Sequence, residues 1–125
     1  MKYLEYNLQK KVAKYLTLEY KDVFFMSDTI ASVKLTGPQQ ARNKAIQCPS
    51  FHCPDLTIFR ARKGYHALFL ELKKETPFKK DGTLKKSEHL ENQRDTMLKL
   101  TEEGYLCFFA WDFEQCKRII DDYLK

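Results

Sequence analysis

No apolar run in this 125-residue sequence approaches the roughly 18 residues needed to span a bilayer. Its opening stretch, MKYLEYNLQKK, places charges where a secretory signal needs a continuous apolar core. Both absences point to a cytoplasmic protein. Cysteine is sparse, at positions 48, 53, 107 and 116, and no C-x-x-C pair occurs. Cys48, His52 and Cys53 therefore lack the spacing of a zinc knuckle, and the other two cysteines lie in apolar runs. Free thiols are expected rather than disulfides or a metal site. No internal repeat is visible. Negative charge is in the minority: 17 acidic residues against 22 basic ones give +5 and a pI near 9.0. That excess mildly favours a polyanionic partner and is almost equally compatible with an ordinary basic surface.

The length fits one domain, residues 1–125, with a core of modest size. A dimer interface would be a reasonable further source of buried area. The spacing of Leu4, Leu8, Val12 and Leu16, extended by Tyr15, predicts an amphipathic helix over YLEYNLQKKVAKYL. Glu5 borders its apolar face. DVFFMS reads as an edge strand. From Thr29 to Cys53 the pattern weakens into a basic excursion that could hold a short helix in PQQARNKAI, where Pro38 suits a first turn. DLTIFRA and YHALFLELK read as strands joined at a Lys63-Gly64 hairpin turn. After a lysine-rich loop, Ser87 can cap a helix carrying Leu90, Met97 and Leu100 on one stripe, ended by Gly104. GYLCFFAW reads as a buried strand. Asp112 can cap a last helix with Ile119, Ile120, Tyr123 and Leu124 inward. The order predicts an α/β fold, a mixed sheet flanked by helices.

Charge inside the strand region is the unusual feature. Strand side chains alternate faces, so in LFLELK the leucines point one way and Phe69, Glu71 and Lys73 the other. Asp55 and Glu71 lie eight and seven residues from the two central turn positions, so hairpin pairing brings them close. Two adjacent carboxylates repel unless one takes up a proton or a cation intervenes. A hard divalent ion such as Mg²⁺ accepts oxygen ligands and leaves room for water and a phosphate oxygen. Lys73 beside it could orient water or stabilise charge on a phosphoryl group. A lone E-x-K would read as a salt bridge at a sheet edge; the P-D pair at hairpin distance favours chemistry. Gln93 falls on the apolar helix stripe between Leu90 and Met97, where a buried amide needs a partner. That partner is either a neighbouring backbone group or a water, Lys73 or a phosphate beside the ion.

Pro54-Asp55, then Glu71-x-Lys73, then a helix bearing Gln93, resembles the PD-(D/E)XK nuclease superfamily. The stretches CPDLTIF, ALFLELKKE, KDGTLKKSEHLENQ and EEGYLCFFAWDFEQCKRIIDDYL are more closely similar to its VRR-NUC family, in particular the small stand-alone phage-type members. The likeness spans most of the chain and is weakest over residues 20–50. It implies a restriction-endonuclease-like αβββαβ core with a C-terminal helix added. It implies Mg²⁺- or Mn²⁺-dependent hydrolysis of DNA phosphodiesters by a homodimer acting like a Holliday-junction resolvase, in a bacterial or phage-infected cell. By position, Glu5, Asp55, Glu71 and the main-chain carbonyl of Leu72 become metal ligands. Lys73 becomes the catalytic lysine, and Gln93 matches the family's glutamine. His52 stands where the family often has glycine, in a G-x-P-D pattern. Such an enzyme holds duplex arms through phosphates. Lys34, Arg42 and Lys44 on the excursion, and Lys79, Lys80, Lys85 and Lys86 on the loop, are the expected contacts. No element reads as a base-recognising helix, so recognition of shape is expected. Nicking, flap or exonuclease activity on the same scaffold, or a non-catalytic DNA-binding module, are the alternatives.

Overall fold

The structure is a computed structural model that describes residues 3–28 and 34–125. Residues 29–33 of the basic excursion lie outside the described residues. The elements run α1 (Tyr3–Glu19), β1 (Phe24–Ser27), α2 (Gly37–Ile46), β2 (Leu56–Phe59), β3 (Leu68–Leu72), α3 (Glu88–Glu102), β4 (Leu106–Ala110) and α4 (Phe113–Leu124). Four strands form one sheet in the order β1-β2-β3-β4. β1 and β3 are antiparallel to β2, and β4 is parallel to β3, so the sheet is mixed. The expected αβββαβ order with a final helix holds, with α2 inserted before β2.

One face of the sheet carries the core. Leu56 and Ile58 of β2, Leu68, Leu70 and Leu72 of β3, and Ala110 of β4 are all essentially inaccessible. They pack with Leu8, Val12 and Leu16 of α1 and Cys116, Ile120, Tyr123 and Leu124 of α4 in one cluster. The four-residue repeat of α1 thus does what its spacing requires, except at its start. Leu4 has the right phase but is 54% exposed. The other face is covered by α3, which packs on β4 and reaches β3 through Gln93. α3 does not cover the β1 end, where Phe24, Met26 and Phe59 are exposed.

Local chemistry sets the element ends. Thr36 and Gln39 form a capping box at the start of α2, with Pro38 in its first turn. This helix buries no residue, so its caps carry much of its definition. Ser87 and Asp112 accept hydrogen bonds from the backbone of Leu90 and Gln115 as N-caps of α3 and α4. Lys63 and Gly64 both have positive φ, 53° and 87°, as a two-residue type I′ hairpin turn needs. β4 differs from expectation. It is an edge strand of the sheet, with Phe109 and Ala110 buried and Phe108 37% exposed. The apolar run GYLCFFAW lines a groove as well as a core. The α3 stripe also differs: Leu90, Met97 and Leu100 are half-buried, while Gln93 and Thr96 are its buried residues.

Gly104 closes α3 at φ 97°, and an added Cβ would lie 2.7 Å from the His66 ring. Gly104→Ala is expected to cost about 1–2 kcal/mol from the left-handed backbone alone. His66 must also shift, although its ring is exposed and can give way. A drop of roughly 5 °C in thermal midpoint would record this; an unchanged midpoint would show that the α3–β4 turn tolerates a side chain.

Candidate active site

Asp55 and Glu71 come from the open ends of β2 and β3. The β2–β3 ladder pairs Leu56 with Leu70, Thr57 with Phe69 and Ile58 with Leu68. Continued by one residue, that register sets Asp55 opposite Glu71. Asp55 Oδ2 accepts a hydrogen bond from the backbone N–H of Leu72 at 2.7 Å, which aims its carboxylate along the end of β3. The Asp55 carboxylate is near enough to raise the Glu71 pKa. The hairpin reasoning therefore located the pair.

Glu71 is only 4% exposed. Its Oε1 accepts a 2.7 Å hydrogen bond from Gln93 Nε2. Its Oε2 is buried and receives no hydrogen bond among the described residues, and the same holds for Gln93 Oε1. Burial, and then the Asp55 carboxylate, push the Glu71 carboxyl far above the usual carboxylate range. The Lys73 ammonium opposes this shift but does not cancel it. Lys73 follows β3 on the strand face of Glu71, half-exposed, and its backbone N–H extends the ladder to Ala110 at 2.8 Å. The cluster thus consists of a buried Glu71 carboxyl with one unsatisfied oxygen, the half-buried Asp55 carboxylate, an adjacent amine and an orienting amide. The oxygen donors fit a hard divalent cation better than a thiolate-preferring metal.

The expected ligand Glu5 is not drawn into this pair. Its side chain is exposed on the first turn of α1. No group of three or more His, Cys, Asp or Glu side chains gathers into a metal cluster among the described residues. The residue of α1 that meets the carboxylate strand is Gln9, one turn further on. Its Nε2 donates to the Asp55 carbonyl at 3.0 Å and to the Asp28 carbonyl at 3.5 Å.

Gln9 and Asp28 were missed from sequence. Asp28 extends the β1–β2 ladder by donating its N–H to the Asp55 carbonyl at 2.8 Å. The Cys53 thiol is pushed up to about 11 by burial, with further contributions from the charges of Asp28, Glu71 and Asp55. Asp28 and Asp55 thus occupy matching ends of the paired strands β1 and β2. The signal was present in MSD and PD as matching ends of paired strands, but strand pairing alone sets that register.

His52 is exposed, and its backbone N–H bonds Thr96 Oγ1 at 3.3 Å, pinning the P-D loop to α3. Arg42 and Lys44 lie exposed on α2, and Lys34 lies exposed before it. Lys79, Lys80 and Lys86 are exposed on the loop before α3, and Lys85 is half-buried. All four cysteines are unpaired. Among the described residues no helix is long and apolar enough to cross a membrane.

Fold and site together define an α/β domain with an acidic pair, Asp55 and Glu71, at the ends of the central strands. No family model matches the chain, and no curated protein matches it. Among solved structures it is similar to a VRR_NUC domain protein, at TM-score 0.64 and 19% identity, over 96% of this chain and 87% of that one. At that identity the likeness supports the fold.

Proposed function

We propose that this chain is a metal-dependent DNA endonuclease that hydrolyses phosphodiester bonds at branched duplexes, in the manner of a Holliday-junction resolvase. The observation that carries this reading is the buried Glu71 carboxyl, opposite Asp55 and steadied by Gln93, with Oε2 left unsatisfied. A structural carboxylate in that position would be expected to have a donor for each oxygen. In this reading Asp55, Glu71 and the Leu72 carbonyl hold Mg²⁺ or Mn²⁺. When bound, such an ion lowers the pKa of its water and offsets charge on the phosphoryl oxygens.

The remaining roles belong to the chain itself. Gln93 fixes the Glu71 carboxyl by donating to Oε1 and leaves Oε2 without a protein donor among the described residues. The backbone of Leu72 fixes Asp55 in the same way. Lys73 presents a cation beside Glu71, where it can hold the attacking water or stabilise charge developing on the phosphate. The lysines of the loop before α3, with Lys34, Arg42 and Lys44, supply phosphate contacts that hold duplex arms without reading bases. A homodimer would offer one such centre to each of the two strands cut at a junction.

Nicking, flap or exonuclease activity would use the same centre, so a substrate panel separates the readings. Labelled four-way junctions, flaps and blunt duplex are incubated with the purified protein, with and without Mg²⁺. The expected result is junction cleavage only with metal, from a particle of dimer mass by light scattering. Equal cutting of blunt duplex would remove structure selectivity. No cutting of any substrate would remove the nuclease reading.

A further inference from the structure

β4 is the last strand of the sheet, and a groove of about 790 Å³ runs along its outer side between α3 and α4. Aromatic side chains supply much of its wall. Phe108 is 37% exposed, and Trp111 is half-buried with its ring 6.0 Å from that of Phe78. Arg94 of α3 and Arg118 of α4 line it and are exposed. The loop that lends Phe78 and Leu84 to its rim also carries Lys79, Lys80, Lys85 and Lys86. The groove adjoins the carboxylate pair. Phe109, on its wall, is the ladder partner of Glu71, and Arg94 follows Gln93 directly.

We infer that this groove holds an unpaired stretch of DNA strand beside the carboxylate centre. This rests on the nuclease reading above and adds a substrate feature to it: a single-stranded segment next to the cut site. Flat apolar rings interleaved with cations are what an unpaired strand needs. Each base offers a face to stack, and each nucleotide offers one negative charge. A blunt duplex cannot use the rings, because its base faces are covered by their neighbours. Arg94 already pairs with Asp95 at 3.2 Å, so the pull of the rim on a ligand comes from Arg118 and the loop lysines; an apolar peptide would offer them no negative charge, whereas a polyanion does.

Trp111 is the only tryptophan in the chain, so its emission reports on this groove alone. The wild-type protein, kept in EDTA so that binding is read without cleavage, is titrated with a twelve-residue oligothymidylate and with a blunt hairpin duplex. The single strand is expected to quench the emission and to bind at least about tenfold more tightly than the duplex. Arg118→Ala should weaken single-strand binding by roughly threefold to tenfold and flatten its salt dependence. Absence of quenching, or an equal response to the duplex, would overturn the inference. So would emission that changes with protein concentration alone, which would mark the groove as an interface between copies. Cleavage is not read, so an inactive protein that still binds single strands would remove the nuclease reading and leave the groove assignment standing.

Discussion

Replacing Glu71 with glutamine is expected to abolish cleavage and at the same time stabilise the metal-free fold at neutral pH. Glutamine has the same shape and can still accept the Gln93 hydrogen bond at its carbonyl oxygen. Its amide can donate to Asp55, as the protonated Glu71 carboxyl can in the metal-free fold, but without having to take up a proton on folding. What is lost is an oxygen at the end of β3 that can become anionic when a cation binds; it is buried and receives no hydrogen bond among the described residues. Cleavage should fall by at least roughly a hundredfold to a thousandfold, the size of effect seen when one preorganised charge-stabilising group is removed. The stability change has a defined sign. The Glu71 carboxyl titrates above its unfolded value, because burial and Asp55 disfavour its charge. Its contribution is therefore fully present below about pH 4.3, the unfolded value, and is lost as pH rises through the folded value. The variant should lack this slope and gain roughly 1–2 kcal/mol at pH 8, as expected when a functional strain is relieved. Urea denaturation at pH 5 and pH 8 in EDTA measures both. Added Mg²⁺ should then stabilise the wild type and leave the variant unmoved. A wild type indifferent to Mg²⁺, with a variant no more stable at pH 8, would show that the acidic pair is not an ion site.

The acidic pair was legible from sequence because it depends on short-range geometry. Strand alternation and a two-residue turn fix where Asp55 and Glu71 fall, and Lys63-Gly64 is a strong local turn signal. Gln93 was legible for a similar reason, as an amide on an otherwise apolar helix stripe. Gln9 was not. Nothing in YNLQKK marks one glutamine as the residue that meets two carbonyls 19 and 46 positions away. That contact exists only because α1 crosses the strand ends. Glu5 lies one turn before Gln9 on the same helix and is exposed. β4 was misjudged because a fully apolar run looks alike in a central strand and beside a groove. Burial then depends on which strand lies next, and β4 has a neighbour on one side alone.

Asp121→Ala is expected to cost about 3 kcal/mol of stability without touching the acidic cluster. Asp121 Oδ1 accepts hydrogen bonds from Tyr15 at 2.5 Å and from Tyr20 at 2.6 Å. Oδ2 lies 3.5 Å from Lys117 and 4.0 Å from Lys125. This carboxylate thus ties the C-terminal end of α1 to α4. Hydrogen bonds to a charged group contribute roughly 1.5–3 kcal/mol each, and the alanine variant would leave two partly buried hydroxyls unpaired. Burial raises the Asp121 pKa, but the two tyrosine hydroxyls, helped by Lys125 and Lys117, outweigh it and hold the carboxyl below the usual range. The Tyr15 hydroxyl is pushed the other way, to about 12, by burial and then by Asp121. The Asp121 contribution is therefore present in full above about pH 3.9 and is lost as pH falls through the lowered folded value. Its pH slope is thus opposite in direction to that of Glu71. Asp121→Asn keeps an acceptor for the tyrosines, so it should cost less than alanine and remove this acid limb. Because α1 also carries Gln9, a loosened α1–α4 seam should make the Asp55 strand end exchange its amides sooner. Hydrogen exchange at Asp28 and Leu72, whose N–H groups bond the Asp55 carbonyl and carboxylate, would show it. Unchanged protection there, with global stability lowered as expected, would mean that the β2 end is held by the sheet alone.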